Sequence, residues 1–294
     1  RRAPSESEAG FLKEIYPEIS DPCSRMSVLM TLYENVWHRD LDASAFVAWI
    51  CSELRGERNR LISGAMMEYA ASASQWCHGV PEFENVLRET AADGKADHEL
   101  RLLAFRTLMT HCDSCCDELL SIWRDMRPYG GLVLGERDYT SMAYQLMLRF
   151  PDQASQIRSE QASRIVNPDR KDVFMYVSQA CSPEKAERDA FFKTLLSAET
   201  RGPESRVKDA LTLLNSPLRY PESLEYITPA LEALGEVQRT GDIFFPASWC
   251  GCLLSGHVSP EASAALKDFI HNNGDMSPLL MTKVLQRGGW LLQQ

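Results

Sequence analysis

The sequence predicts an all-α fold, an α-solenoid-like array of antiparallel helix pairs. Three observations point there. Apolar residues recur at i, i+3, i+4 and i+7 in segment after segment, the spacing that gives a helix one buried stripe. Sustained period-2 alternation, the mark of a half-buried strand, is absent. The 15 prolines fall where helices begin rather than inside them, which is where a residue without an N–H is tolerated.

The elements follow in order. Residues 1–22 are polar and carry Pro17 and Pro22, so they are expected to be a tether leading into a helical domain over 23–294. Leu29, Leu32, Tyr33 and Val36 share a face and place a helix over 24–38. Phe46, Trp49 and Ile50 place the next over 42–55, and Ile62, Met66, Tyr69, Ala73 and Trp76 one over 58–77. Val80-Pro81-Glu82 opens a helix over 81–92, followed by helices over 97–111 and 114–127, the last with Asp113 as its N-cap. The glycine-rich stretch Pro128–Gly135 reads as a loop and divides two sub-lobes near 128–135. Helices over 136–149, 151–166 and 169–180 come next.

Ser182-Pro183-Glu184 then opens a helix over 183–198, with Ser as N-cap, Pro at the first helical position and an acid that suits the helix dipole. Gly202-Pro203-Glu204 opens 203–215, where Leu211 and Leu214 share a face. Helices over 221–239 and 246–254 precede Ser259-Pro260-Glu261, which opens 260–272, and Ser277-Pro278, which opens 277–291. Helices of this length joined by short connections pack antiparallel. Without a strict sequence repeat, they predict a degenerate superhelix of the HEAT or armadillo kind.

Composition narrows the function. The 294 residues carry a net charge of −10. That opposes sequence-independent binding to nucleic acid or to an anionic membrane, both of which need a basic face. No apolar run is long enough to insert into a bilayer. Arg far outnumbers Lys among the 31 basic residues, and its planar fork suits carboxylate pairs between packed helices. Nine cysteines, an odd number spread from Cys23 to Cys252, do not read as a disulfide framework in a chain this core-rich. They favour a reducing compartment. The chain opens on Arg1-Arg2-Ala3-Pro4 without Met, so it is expected to be a portion of a longer protein.

The motifs of catalysis are missing. A zinc peptidase needs two His at i, i+4 on one helix with a Glu as general base. The six histidines stand at 38, 78, 98, 111, 257 and 271, no two of them four apart. Gly64-Ala65-Met66-Met67-Glu68 sits in a helical pattern and reads as packing. His111-Cys112-x-x-Cys115-Cys116 is the one local group of soft metal ligands. It is half of a four-ligand site, with Cys77-His78 the nearest second pair, or else a capping turn with incidental thiols near a helix start. Gly241-Asp242-Ile243-Phe244-Phe245-Pro246 puts three large apolar residues in a connection. They either plug this domain's core or anchor it on a neighbour.

Several segments, in order, carry a resemblance. They are Asp21-Pro22 with Ser24-Arg25-Met26-Ser27 and Leu32-Tyr33-Glu34-Asn35; Asp138-Tyr139-Thr140-Ser141-Met142-Ala143-Tyr144; Arg164-Ile165-Val166-Asn167-Pro168-Asp169-Arg170; Arg188-Asp189-Ala190-Phe191-Phe192; and Ser216–Pro246. Together they resemble the C-terminal helical domain of bacterial zinc metallo-aminopeptidases of the membrane-alanyl-aminopeptidase family, which are gluzincins. The ending Gln286-Arg287-Gly288-Gly289-Trp290 departs from that family's Ala-rich close.

The resemblance implies a noncatalytic domain that packs on a zinc-bearing catalytic domain of the same parent chain. There it would shape peptide access during removal of N-terminal amino acids. No cofactor is expected in this segment, and zinc is expected in the catalytic domain. The resemblance implies a substrate-chamber or domain-interface role for Arg164, Arg170, Arg219, Arg239, Phe244 and Phe245. It also allows a cell-envelope address, against the reducing compartment the cysteines favour. The alternative is a stand-alone α-solenoid scaffold that binds a protein partner.

Overall fold

The computed structural model describes residues 6–77 and 80–293. All regular structure in them is helical, with no strand among the described residues. By contact the chain divides into two units, one up to Asp138 and one from Tyr139.

The first unit holds α1 (Glu6–Ile15), α2 (Pro22–Trp37), α3 (Ala43–Leu54), α4 (Arg60–Ser74), α5 (Pro81–Ala92), α6 (His98–His111) and α7 (Cys116–Asp125). Helix α3 pairs with α4, and α5 with α6. Helix α3 then stacks on α5, and α4 on α6. Each helix meets its partner and its counterpart in the next pair, the nearest-neighbour logic of a solenoid. Acidic and amide caps set the starts. Asp21 accepts from Ser24 N and Asp42 from Ala45 N, each at 2.8 Å, and Asp97 from Glu99 N at 3.0 Å. Such caps satisfy N–H groups that a helix start leaves open.

The polar N-terminal stretch is more structured than its composition suggests. Tyr16 is buried edge-on against Trp49, with ring centroids 5.1 Å apart, and its hydroxyl donates to Glu57. Glu57 also pairs with Arg25 at 3.0 Å. The periodicity of 6–15 is weak because, among its described side chains, only Ala9 is buried.

The boundary between units falls in the first turn of α8 (Glu136–Arg149). The second unit continues with α9 (Ala154–Arg164), α10 (Pro168–Val177), α11 (Lys185–Leu195), α12 (Glu204–Leu214), α13 (Ile227–Glu232), α14 (Leu234–Thr240), α15 (Phe245–Leu254), α16 (Pro260–Asn272) and α17 (Pro278–Leu292). Helices α10, α12, α15 and α17 stack in succession, α13 packs on α15 and α16, and α16 packs on α17. The α-solenoid-like pairing therefore recurs within this unit.

Other local expectations change as well. The helix expected over 221–239 is a 3-10 turn at Glu222–Tyr226, then α13, then α14. Pro229 explains the restart: deep in a continuous helix its ring would clash with the carbonyl four residues back, whereas in the first turn of α13 it is tolerated. Helix α11 starts at Lys185, with Glu184 rather than Ser182 in the cap position. Ser182 Oγ instead accepts from Glu184 N at 3.2 Å and donates to Glu187 at 2.6 Å. Asp113 does not cap α7. Its N–H and that of Ser114 donate to Glu84, and Cys115 occupies the cap position.

Candidate functional site

Within the Gly241–Pro246 stretch, residues 241–244 join α14 to α15 as a fixed turn, and Phe245 and Pro246 open α15. Asp242 Oδ1 accepts from Phe244 N at 2.6 Å and from Phe245 N at 2.8 Å. These donors, Phe244 first, hold its carboxyl below the usual range. Asp242 N donates to Glu204 Oε1 at 2.7 Å, and Lys283 Nζ donates to Ile243 O at 3.3 Å. Gly241 is demanded by space, since a Cβ there would lie 2.5 Å from Phe245 Cδ1 and 2.9 Å from Val237 O.

This turn sends its apolar residues in opposite directions. Phe245 is buried edge-on against Trp249 at 5.9 Å. The Arg201 guanidinium lies 5.6 Å from the Phe245 ring centroid and 5.8 Å from that of Trp249, and Trp249 Nε1 donates to Ala230 O at 2.9 Å. Ile243 and Phe244 point outward, 77% and 75% exposed. Leu279, one turn before Lys283 on α17, is also exposed. Covering a large apolar side chain is worth ~2 kcal/mol, so a rigid pair held in water is a surface with affinity to spare.

The four arginines singled out from sequence occupy separate settings. Arg164 pairs with Glu160 one turn earlier on α9. Arg170 is exposed in the first turn of α10, and Arg239 in the last turn of α14. Arg219 is half-buried and donates to Cys181 O at 2.9 Å and Ser182 O at 3.0 Å. Burial, and after it the nearby Arg188, lower its pKa from the ordinary value.

Sequence reasoning missed Arg188 and Arg201. Arg188 is 2% exposed, donates to Ser182 O at 2.7 Å and Pro183 O at 2.8 Å, and pairs with Glu222. A signal was present: with Phe191, Phe192 and Leu195, Arg188 completes the buried i, i+3, i+4, i+7 stripe of α11. Arg201 lies in a loop, donates to Thr240 Oγ1 at 2.6 Å and sits 3.5 Å from Glu236 Oε2. No periodicity marks it.

In the first unit, the connection between α6 and α7 gathers three thiols. Cys112 Sγ lies 3.6 Å from Cys116 Sγ, and the Cys115 thiol shares hydrogen bonds with Cys112 and Glu84. Glu84 is buried and accepts from Ser114 Oγ at 2.5 Å, Asp113 N at 2.8 Å and Ser114 N at 3.0 Å. Burial pushes its carboxyl up, but the Ser114 and Asp113 donors outweigh that and leave it below the usual range. The ring of His111 turns to Phe83, with centroids 6.5 Å apart. Among the described residues, no three His, Cys, Asp or Glu side chains converge as metal ligands would. His78, half of the second pair considered from sequence, lies outside the described residues. Nearby, a cleft of about 470 Å³ is lined by Arg88, Glu118, Arg127 and Tyr129.

Comparison of the chain with models of known families and with curated proteins finds no match. What the geometry defines is a class: a helix-paired protein with a rigid apolar turn on its second unit and a thiol-lined turn in its first. Among the described residues no helix is long and apolar enough to cross a membrane.

Proposed function

We propose that this chain is the noncatalytic helical domain of a zinc aminopeptidase. It packs on the catalytic domain of the same parent and shapes peptide access to it. The ordered segments of resemblance motivate the reading, and the paired-helix architecture is compatible with it. The observation that carries it is the exposure of Ile243 and Phe244 on a braced turn inside the longest segment of resemblance. Two large apolar side chains fixed in water suit a permanent interdomain contact, where aromatic anchors in a desolvated centre dominate the binding energy. No two of the chain's histidines stand four apart in the sequence, so its role in this reading is positional. It bounds the chamber, limits substrate length and excludes water, while zinc on the catalytic domain would polarise the scissile carbonyl.

The test uses the parent protein. Peptides of increasing length are digested by the parent, by the parent lacking these 294 residues, and by this chain alone with zinc. The reading expects length-dependent cleavage by the parent, loss of that dependence on deletion, and no cleavage by the chain alone. A parent gene with no H-E-x-x-H upstream, or chelator-resistant cleavage by this chain, would overturn it. The stand-alone scaffold remains the rival. It predicts that the Phe244 surface binds a separate protein rather than a domain of the same chain.

A further inference from the structure

We propose that Cys112 and Cys116 form a reversible dithiol–disulfide site, oxidised by hydrogen peroxide, in the turn between α6 and α7. The argument begins with proximity. Their sulfurs are already in van der Waals contact at 3.6 Å, and a disulfide closes at about 2 Å, a shift within reach of small side-chain rotations. The two residues bracket a short turn, with Cys112 just past the end of α6 and Cys116 the first residue of α7. The linkage therefore joins adjacent helix ends without moving either helix body.

The two sulfurs differ in the way an attacking and a resolving thiol should. Cys116 is half-buried, whereas Cys112 is 1% exposed. Cys116 is the first residue of a ten-residue helix, and its thiol lies 3.8 Å from Cys112 O and 3.6 Å from Asp113 O. Cys115 is the bystander. Its hydrogen bond to Cys112 and its burial push its pKa far above the ordinary thiol value, with Glu84's charge adding to this, so its sulfur stays protonated. The remaining cysteines lack such a geometry. Cys51, Cys181 and Cys250 are buried, their thiols pushed up to about 12 by desolvation.

The chemistry balances in two steps. The Cys116 thiolate attacks one oxygen of hydrogen peroxide: an S–O bond forms, the O–O bond breaks, and hydroxide leaves and takes up the thiol proton as water. Cys112 Sγ then attacks Cys116 Sγ: the S–S bond forms, the S–O bond breaks, and the departing hydroxide takes the Cys112 proton as a second water. The two thiols lose two electrons, and the peroxide gains them. A small-molecule dithiol reverses the step by exchange.

The experiment uses the whole chain. The reduced protein is exposed to about one equivalent of hydrogen peroxide, alkylated, cleaved at Arg and Lys, and weighed by mass spectrometry. Cys112, Cys115 and Cys116 fall in one peptide, since the flanking cleavage sites are Arg106 and Arg124. The expected product has lost two hydrogens and carries a single alkyl group, on Cys115. Dithiothreitol restores three alkyl groups. Cys115→Ser keeps the linkage and Cys116→Ser abolishes it, with circular dichroism confirming that both remain helical. Three alkyl groups after peroxide, a linkage that includes Cys115, or a stable sulfinic acid at Cys116 would each overturn the proposal. The wild-type peptide alone decides between them should a variant fail to fold.

Discussion

His257 Nε2 lies 2.9 Å from Asn215 Oδ1 in the buried interior of the second unit. Asn215 spends its amide N–H on Leu211 O at 2.9 Å, so its oxygen is the acceptor and His257 Nε2 carries the proton. Burial lowers the imidazole's pKa to about 4, which keeps the ring neutral near pH 7.

The burial of His257 makes the second unit acid-sensitive. The unfolded chain takes up a proton on His257 near pH 6.5, while the folded chain resists until about 4. Between those values the unfolded state binds more protons, so stability falls as pH drops through the window and is fully present above it. The loss integrates to about 3 kcal/mol. Urea melts across that range should show it, and His257→Gln should flatten the slope attributable to this site. An unchanged slope would remove His257 as its source.

Adjacent aromatics on the α14–α15 turn should behave as opposites. Phe245→Ala opens a cavity beside Trp249 and should cost about 3–5 kcal/mol. Phe244→Ala removes an exposed ring and should change the stability of this chain by less than about 0.5 kcal/mol. If the proposed function holds, the second variant should instead weaken the contact with the catalytic domain, read as increased protease cleavage between the two. Equal effects of the two on the melting of the isolated chain would contradict the turn geometry.

Gly256 and Gly10 should respond to the same substitution with opposite signs. A Cβ on Gly256 would lie 1.8 Å from Asn215 O, a backbone atom that cannot swing aside. Gly256→Ala should therefore cost about 3 kcal/mol or more. Gly10 lies in α1 with nothing within 4 Å of the added carbon. Gly10→Ala should gain about 0.5 kcal/mol from helix propensity. Paired denaturant melts check both.

Arg188 should tolerate neither truncation nor its nearest chemical relative. Its fork serves two carbonyls and Glu222 at once. Lysine offers one point charge in place of that planar fork. Arg188→Lys should cost about 2 kcal/mol and Arg188→Ala about 3–5 kcal/mol, because the groups left behind are partly buried. Thermal melts showing the two variants equal to wild type would mean that the contacts contribute nothing.

Much of the architecture was legible in the chain. The stripe Leu29, Leu32, Val36 is buried as its spacing requires, and Pro260 stands first in α16 behind Ser259, whose hydroxyl accepts from Ala262 N at 3.2 Å. The 221–239 segment was harder to read because Pro229 interrupts an otherwise continuous apolar pattern. The site was less legible still. Gly241–Pro246 drew notice as an apolar connection, yet nothing local tells which of Ile243, Phe244 and Phe245 goes inside.

Sequence by itself determined most of the helices, their apolar faces and a cap such as Ser259, because those depend on hydrogen bonds and side-chain spacing within a few residues. Tertiary structure alone decided that Phe245 meets Trp249 while Phe244 faces water, that Arg188 finds Glu222, and that His257 finds Asn215. The last two pairs are 34 and 42 residues apart. Whether such groups meet depends on how whole helices stack to bury their stripes, a condition satisfied by the assembled units and not by any single segment.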